Sequence, residues 1–409
     1  MKHVVFVAPI YSPAASQMIE AAVSFPGKAR VAVVAQQSAD VLDARIRTRL
    51  AGHVQVGDIT DIDELEGAIR HIGARFFDGR VDRCFAAYEQ AQVPVALVRE
   101  RLGIHGMPSA TAQRFRDKSM MKETLREARI PVAKHALVAA QQDAFRFVEA
   151  VGFPIVVKPP AGAGARSTFR IASAAELHTL LSEFPPTIHN PLLAEEFIRG
   201  TEYSLETISI DGNAVWHSIT RYAPTPLEVV LNPWIQWTVL LPREVDDVQF
   251  SDIRDVGTRA LAALGMFTGV SHCEWFRRDD GTLAISEIAA RPPGAQITTM
   301  MSRANDFDFV REWMRLMILG TFSIPHRRYA VGTAFLRGQG NGRVRSVEGL
   351  DRIQREFGAL ICDARLPSQG QEATGSYEGE GYILLRHPDT AVVEHALRQT
   401  VDTIRVVIA

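Results

Sequence analysis

Short apolar runs alternating with helix-period stretches organise the first hundred residues. Residues 4–8, 30–35 and 93–98 are runs of mostly β-branched or small apolar side chains and read as strands. Residues 14–23, 61–71 and 82–91 space their apolar positions and read as helices. This alternation predicts a parallel, doubly wound sheet, whose strand ends commonly hold ligands. The first run is followed by Pro9-Ile10-Tyr11-Ser12-Pro13. The glycines of a dinucleotide fingerprint are missing there, which argues against an NAD site.

Further along, the two periods mix, as in an α+β segment. A turn-rich joint at 103–108 leads into a helix over 110–128, ended by Ile130-Pro131. Residues 154–158 read as a strand stopped by Pro159-Pro160, followed by a loop of small residues over 161–168 and a return strand to 171. Residues 192–197, 203–210 and 214–222 read as strands, with Asp211-Gly212-Asn213 as a hairpin turn. A helix over 252–264 ends at Gly265. Residues 271–276 and 283–288 form another hairpin, and 307–319 an amphipathic helix. Beyond 326 the pattern is mostly strands, closed by one helix at 390–404.

Composition narrows the class. The 409 residues are 46% hydrophobic and 22% charged with a formal net charge of −2, so no global basic field draws in nucleic acid or an anionic membrane. No run reaches the roughly 18 apolar residues of a membrane helix, and the opening run is too short for a signal-peptide core. Cys84, Cys273 and Cys362 fit neither a disulfide framework nor a zinc spacing, and read as reduced thiols. The expectation is a cytoplasmic protein.

Against that background a few polar residues stand out. Lysine occurs only at positions 2, 28, 118, 122, 134 and 158, so a lysine at a strand end is notable. Lys158 ends an apolar strand before a Gly/Ala loop, an arrangement suited to polyphosphate: loop N–H groups approach the oxygens and the ammonium offsets their charge. A surface lysine beside a hairpin is the plainer reading. Glu274 and Glu287 lie on neighbouring strands of one hairpin, where both carboxylates can share a face. Two such charges call for a hard cation between them, and oxygen ligands favour Mg²⁺. Arg291 follows in Ala290-Arg291-Pro292-Pro293-Gly294, placed to hold a phosphoryl or carboxylate group. The run from Leu192 to Glu202 crosses a hinge whose backbone could read a purine edge.

Taken in order, these segments resemble the ATP-grasp superfamily. Arg116-Asp117-Lys118 is similar to its R-D-K element, and Pro154-Ile155-Val156-Val157-Lys158-Pro159 to its P-x-V-V-K-P strand. Residues 194–202 resemble the hinge segment, and 269–274 with 287–294 the paired metal strands. The resemblance implies an N-terminal Rossmann-like domain (1–110), a two-lobed ATP-grasp domain (111–194 and 195–325) and a small β-rich C-terminal domain (326–409). It implies that Lys118 and Lys158 contact ATP phosphates under a lid that includes Gly162, Gly164 and Ser167. The Glu195 side chain would lie near the adenine amino group, with Glu196, Phe197 and Ile198 along the adenine edge and Glu202 on the ribose. Glu274 and Glu287 would hold Mg²⁺, with Mn²⁺ as a substitute. Lys158 and Arg291 would be catalytic, Arg291 also binding the substrate carboxylate. Ala289 departs from the family's usual asparagine, and the lid carries alanines in place of Gly-Ser.

The implied activity is a carboxylate–amine ligase working through an acyl phosphate. The pairing of His272 and Glu274 with Glu287 and Arg291 most resembles L-amino-acid ligases, acting on amino acids as a homodimer. His217, Arg221 and Trp234, with Tyr222 and Trp237, are candidates for the amino-acid pocket, the plainer reading being packed strands. The alternatives are a formate- or bicarbonate-using ligase or carboxylase of the purine-biosynthesis type, with Arg327 and Arg328 as anion candidates, and a nucleotide-binding protein without turnover.

Overall fold

The computed structural model describes residues 1–162 and 168–409. Its first sheet is built from β1 (Lys2–Ala8), β2 (Ala29–Ala35), β3 (Gly52–Gln55) and β4 (Arg83–Ala86), all parallel in the order β3-β2-β1-β4. The near-continuous apolar runs in β1 and β2 follow from burial on both faces. Val4, Phe6, Val31 and Val33 pack on one side, against helices that include Pro13–Ala22 and Phe309–Leu319. Val5, Val7, Ala32 and Val34 pack on the other, against Ile62–Phe76 and Gln92–Leu102. The sheet is doubly wound, as expected.

Two readings in this region are corrected. Residues 93–98 are helical, not a strand: Pro94 falls in the first turn of Gln92–Leu102, where its missing N–H costs nothing. The strand lies instead at β4, inside the stretch 82–91 read as helix; its Cys84-Phe85-Ala86 are buried, and Glu89–Ala91 form only a 3₁₀ turn. The helix expected over 110–128 is two, Ser109–Arg116 and Lys118–Glu127. Asp117 separates them with extended backbone and caps the second by accepting from Ser119 and Met120 N–H at 2.9 Å each.

A second sheet follows, with β5 (His135–Val138), β6 (Ile155–Lys158), β7 (Phe169–Ile171) and β8 (Leu192–Glu196) in the order β5-β8-β6-β7. One face packs on helices Gln141–Val151 and Ala174–Glu183. The other carries Val156, Lys158 and Glu195 towards the next sheet. The boundary expected at 194/195 falls within β8.

The largest sheet contains β9 (Gly200–Ile210), β10 (Asn213–Ala223), β11 (Trp237–Leu241), β12 (Gly269–Arg278), β13 (Leu283–Ala289) and β14 (Ala330–Leu336). A separate pair is formed by β15 (Val344–Glu348) and the final strand, Arg405–Ile408. With β16 (Ile361–Arg365) and β17 (Gly381–His387) the large sheet runs β13-β12-β9-β10-β11-β14-β17-β16. It therefore continues without a break across residue 325, and three of its strands come from the C-terminal part. A helix there, Leu350–Phe357, adds to the one expected at the end, Thr390–Thr403. The turn at Asp211-Gly212 has positive φ at both residues (49° and 80°), the hairpin geometry expected of that sequence. Among the described residues no helix is long and apolar enough to cross a membrane.

Candidate active site

Strand alternation divides the large sheet into two chemically different faces. Leu205, Ile219, Cys273, Trp275 and Ile285 point to a core closed by helices Lys118–Glu127 and Ser251–Leu264. The neighbouring positions point the other way and are polar. Ser218, Glu206 and His272 are register partners across three strands, as are Thr220, Ser204, Glu274 and Glu287 across four. From these rows His272, Glu274 and Glu287 line a cavity of about 680 Å³ between the two antiparallel sheets, with Ser204, Glu206, Ser218 and Thr220 buried behind it.

Glu274 and Glu287 sit directly opposite each other, on one face, as the hairpin reading requires. Behind them Glu206, fully buried, accepts from Ser204 Oγ at 2.5 Å and Thr220 Oγ1 at 2.9 Å, and pairs with His272 Nδ1 at 2.9 Å. His272 Nε2 lies 3.5 Å from Glu274. Burial alone would lower the His272 pKa, but Glu206 and Glu274 lift it to about 9. Burial would raise Glu274, yet the hydrogen bond from His272 and the charges of Lys158 and Arg291 hold it below the ordinary carboxylate value. Glu202 goes the other way: burial, reinforced by Glu274, pushes it well above that value.

The opposite wall supplies lysines. Asp117 places Lys118 at the first position of its helix, where its N–H donates to Pro160 O at 2.9 Å. Lys118 Nζ donates to Gly162 O at 2.9 Å and pairs with Glu287 at 3.0 Å. Lys158, stopped at the strand end by two prolines, pairs with Glu195 Oε2 at 3.0 Å. Burial works against its charge, but Glu195 and Glu287 hold its pKa above the ordinary value. Lys122, fully buried, donates to Ser286 O at 2.6 Å and lies 3.3 Å from Glu195 Oε1. Burial would raise Glu195, and the two lysines hold it low.

Next to this wall runs a flatter, apolar part lined by Val156, Phe197, Ile198 and Phe276. The Arg170 guanidinium stacks 4.7 Å from the Phe197 ring. Glu196 turns away, bonding to Lys134 N at 2.9 Å and Arg278 at 2.7 Å, and so fixes the hinge. Gly200 is required where the chain re-enters the sheet: its φ is 148°, and a Cβ there would meet Arg277 O at 2.0 Å. Arg291 closes the reactive part. Its Nε donates to Glu89 at 3.0 Å, and Glu89 also accepts from Arg116 at 2.9 Å. Arg291 Nη1 is occupied by Pro292 O at 2.9 Å.

Residues 123–307 match the family model described as the ATP-grasp domain. This chain carries an ATP-grasp domain. It is 28% identical over 267 residues to the L-arginine-specific L-amino acid ligase of Bacillus subtilis, a match covering 64% of this chain and 63% of that protein. The chain thus spans less than two thirds of that relative. The crystal structure of an L-amino acid ligase from Bacillus licheniformis superposes with a TM-score of 0.79 at 19% identity, covering 100% of this chain and 99% of the other. N5-carboxyaminoimidazole ribonucleotide synthetase from Thermotoga maritima gives 0.69 at 18%, covering 100% of each. These likenesses establish the ATP-grasp fold, with its parallel N-terminal sheet and large antiparallel sheet.

The ATP-grasp cavity gathers Lys118, Lys158, Gly162, Glu195, Glu196, Phe197, Ile198, Glu202, Glu274, Glu287 and Arg291. Gly164 and Ser167 lie outside the described residues. The Glu195 carboxylate is turned to Lys122 and Lys158 instead of being held free for an adenine amino group. His217, Arg221 and Trp234 do not line the cavity. His217 and Arg221 alternate to the other face of β10, paired with Asp246 at 3.3 Å and Glu394 at 2.6 Å, and Trp234 is exposed. Tyr222 and Trp237 do line it, joined by Tyr377 from the C-terminal part, whose ring meets Trp237 edge-on at 5.2 Å. Arg327 is held by Pro242 O and Ser218 Oγ, and Arg328 by Asp306, so neither serves as an anion site in the cavity. Glu89, Lys122 and Glu206 were not singled out from sequence. Lys122, one helical turn after Lys118, and Glu206, at even spacing from Glu202, had a positional signal; Glu89, in a 3₁₀ turn far from any motif, had none.

Proposed function

We propose that this chain is an ATP-dependent carboxylate–amine ligase that forms an amide through an acyl phosphate, with amino acids as substrates. The observation that carries the reading is the convergence, in one cavity, of Glu274 and Glu287 with Lys118, Lys158 and Arg291. The apolar part by the hinge suits a purine ring, and the lysines suit its phosphates. Two carboxylates facing each other across one hairpin suit Mg²⁺, which completes its shell with water and phosphate. That ion, when bound, would neutralise charge on the transferring phosphoryl group.

In the reaction a carboxylate oxygen attacks the γ-phosphorus, and the bond to the ADP oxygen breaks. Lys158 and Lys118 hold the phosphates and Arg291 the carboxylate. The amine then attacks the acyl carbon, phosphate leaves with the bonding pair, and the amine loses its proton. Tyr222, Trp237 and Tyr377 form the wall against which an amino-acid side chain would pack. The relative named as an L-amino acid ligase supports this choice of substrates. A cytoplasmic setting, where MgATP is maintained, and a homodimer belong to the same proposal.

The test is phosphate release from MgATP across all pairs of amino acids, with mass spectrometry of the products. Release needing two amino acids and yielding a dipeptide mass supports the reading. Nucleotide binding with release only for bicarbonate or formate moves the chain to the purine-biosynthesis type. Binding with no release under any pairing points to a nucleotide-binding protein without turnover.

A further inference from the structure

Three ionisable side chains form a group behind the phosphate wall that the ligase reading uses only in part. Lys122, Glu195 and Lys158 come from a helix and two strands of the second sheet, and all three are buried. Lys158 and Glu195 stand diagonally on adjacent antiparallel strands, since Val156 is the register partner of Glu195 and Leu193 that of Lys158. One carboxylate thus serves two ammonium groups, through Oε2 at 3.0 Å to Lys158 and Oε1 at 3.3 Å to Lys122. The second pair is loose: no donor is aligned on Glu195 Oε1, although that oxygen is fully enclosed. Lys122 itself is fixed by Ser286 O at 2.6 Å, on the strand that carries Glu287.

A buried ammonium is costly unless negative charge faces it, and Glu287 and Glu274 add to Glu195 in facing Lys158. Only Lys158 of the two lysines reaches the cavity. We infer that Lys122 is a positioning residue for phosphate binding: by drawing one oxygen of Glu195 to itself, it keeps that carboxylate from cancelling the Lys158 ammonium, whose charge is left for the nucleotide. Without Lys122, Glu195 closes on Lys158 with both oxygens and the phosphate site loses one of its two lysine charges. This inference rests on the proposed nucleotide site.

The test compares MgADP and adenosine binding by calorimetry in the wild type, Lys122→Met, Glu195→Gln and the double variant. Lys122→Met is expected to weaken MgADP about tenfold while shifting adenosine less than twofold. The double variant removes the competing carboxylate as well, and MgADP affinity returns to within about threefold of wild type. A purely structural strut predicts the opposite: a double variant at least as weak as Lys122→Met, with adenosine weakened equally, and that result overturns the inference. If Lys122→Met does not fold, Glu195→Gln alone decides. Tighter MgADP binding supports the inference and weaker MgADP binding rejects it. A wild type that binds no MgADP defeats the nucleotide site itself, whereas unchanged binding in Lys122→Met defeats only the role of Lys122.

Discussion

The two ends of the cavity are built by different means. At the phosphate end, the basic side chains stand where regular structure stops: Lys118 at a helix start behind its Asp117 cap, Lys158 at a strand end before two prolines, Arg291 just past β13. At the far end, Tyr222, Trp237 and Tyr377 meet from β10, β11 and a loop more than a hundred residues away. The first end depends on local chain signals, the second on how strands are paired and faced. The phosphate end should therefore be intolerant of single charge changes, and the aromatic end should shift preference without losing chemistry.

The largest effect is expected from Glu287→Gln, which removes one of the two facing carboxylates. Turnover should fall about 10²-fold or more, the scale of losing one electrostatic stabiliser of a transition state. Single-turnover phosphate release measures it, and a loss under tenfold would remove Glu287 from the reactive group. Glu89→Gln comes next. Glu89 does not itself line the cavity yet fixes Arg291 Nε, so kcat/KM for the carboxylate should drop about tenfold, roughly the 1.4 kcal/mol that separates a charged from a neutral partner. Its nucleotide Kd should stay within about twofold, and equal losses in both would make Glu89 a plain structural residue.

Smaller changes probe the aromatic end. Tyr377→Ala should alter KM for one amino acid by about three- to tenfold, consistent with the roughly 0.5–1.5 kcal/mol of an aromatic contact, with the KM for MgATP unmoved. A changed MgATP constant would mean that the two ends are not separable. Arg221→Ala is expected to have the smallest effect, within about twofold on all constants, because its partly exposed pair with Glu394 is a surface salt bridge of about 0–1 kcal/mol. A tenfold loss there would restore Arg221 to the site.

The same contrast accounts for what could be read in advance. The hairpin of Glu274 and Glu287 was legible because period-two alternation and a short turn fix which residues face together. His217 and Arg221 lie off the cavity because residue type and proximity in sequence do not say which face of β10 is turned to it, while Trp234 stands exposed in the segment before β11. One residue along, Tyr222 faces in while Arg221 faces out. In the first sheet, the four-residue β4 was overlooked since so short a buried run carries almost no periodic signal, and the apolar run beyond Pro94 outweighed it.

Sequence alone determined the elements that depend on neighbours in the chain: the doubly buried strands β1 and β2, the Asp211-Gly212 turn, the proline stop after Lys158 and the spacing of the metal-type carboxylates. Tertiary structure decided the rest. It set Glu89 against Arg116 and Arg291, buried Lys122 against Glu195 and Ser286, put Glu206 behind His272, carried Tyr377 to the cavity and continued the large sheet through β14, β17 and β16. Local signals act through the covalent chain and its nearest hydrogen bonds. Partners brought together from 27 to more than 200 positions apart are selected by burial and charge pairing, which only the folded chain brings about.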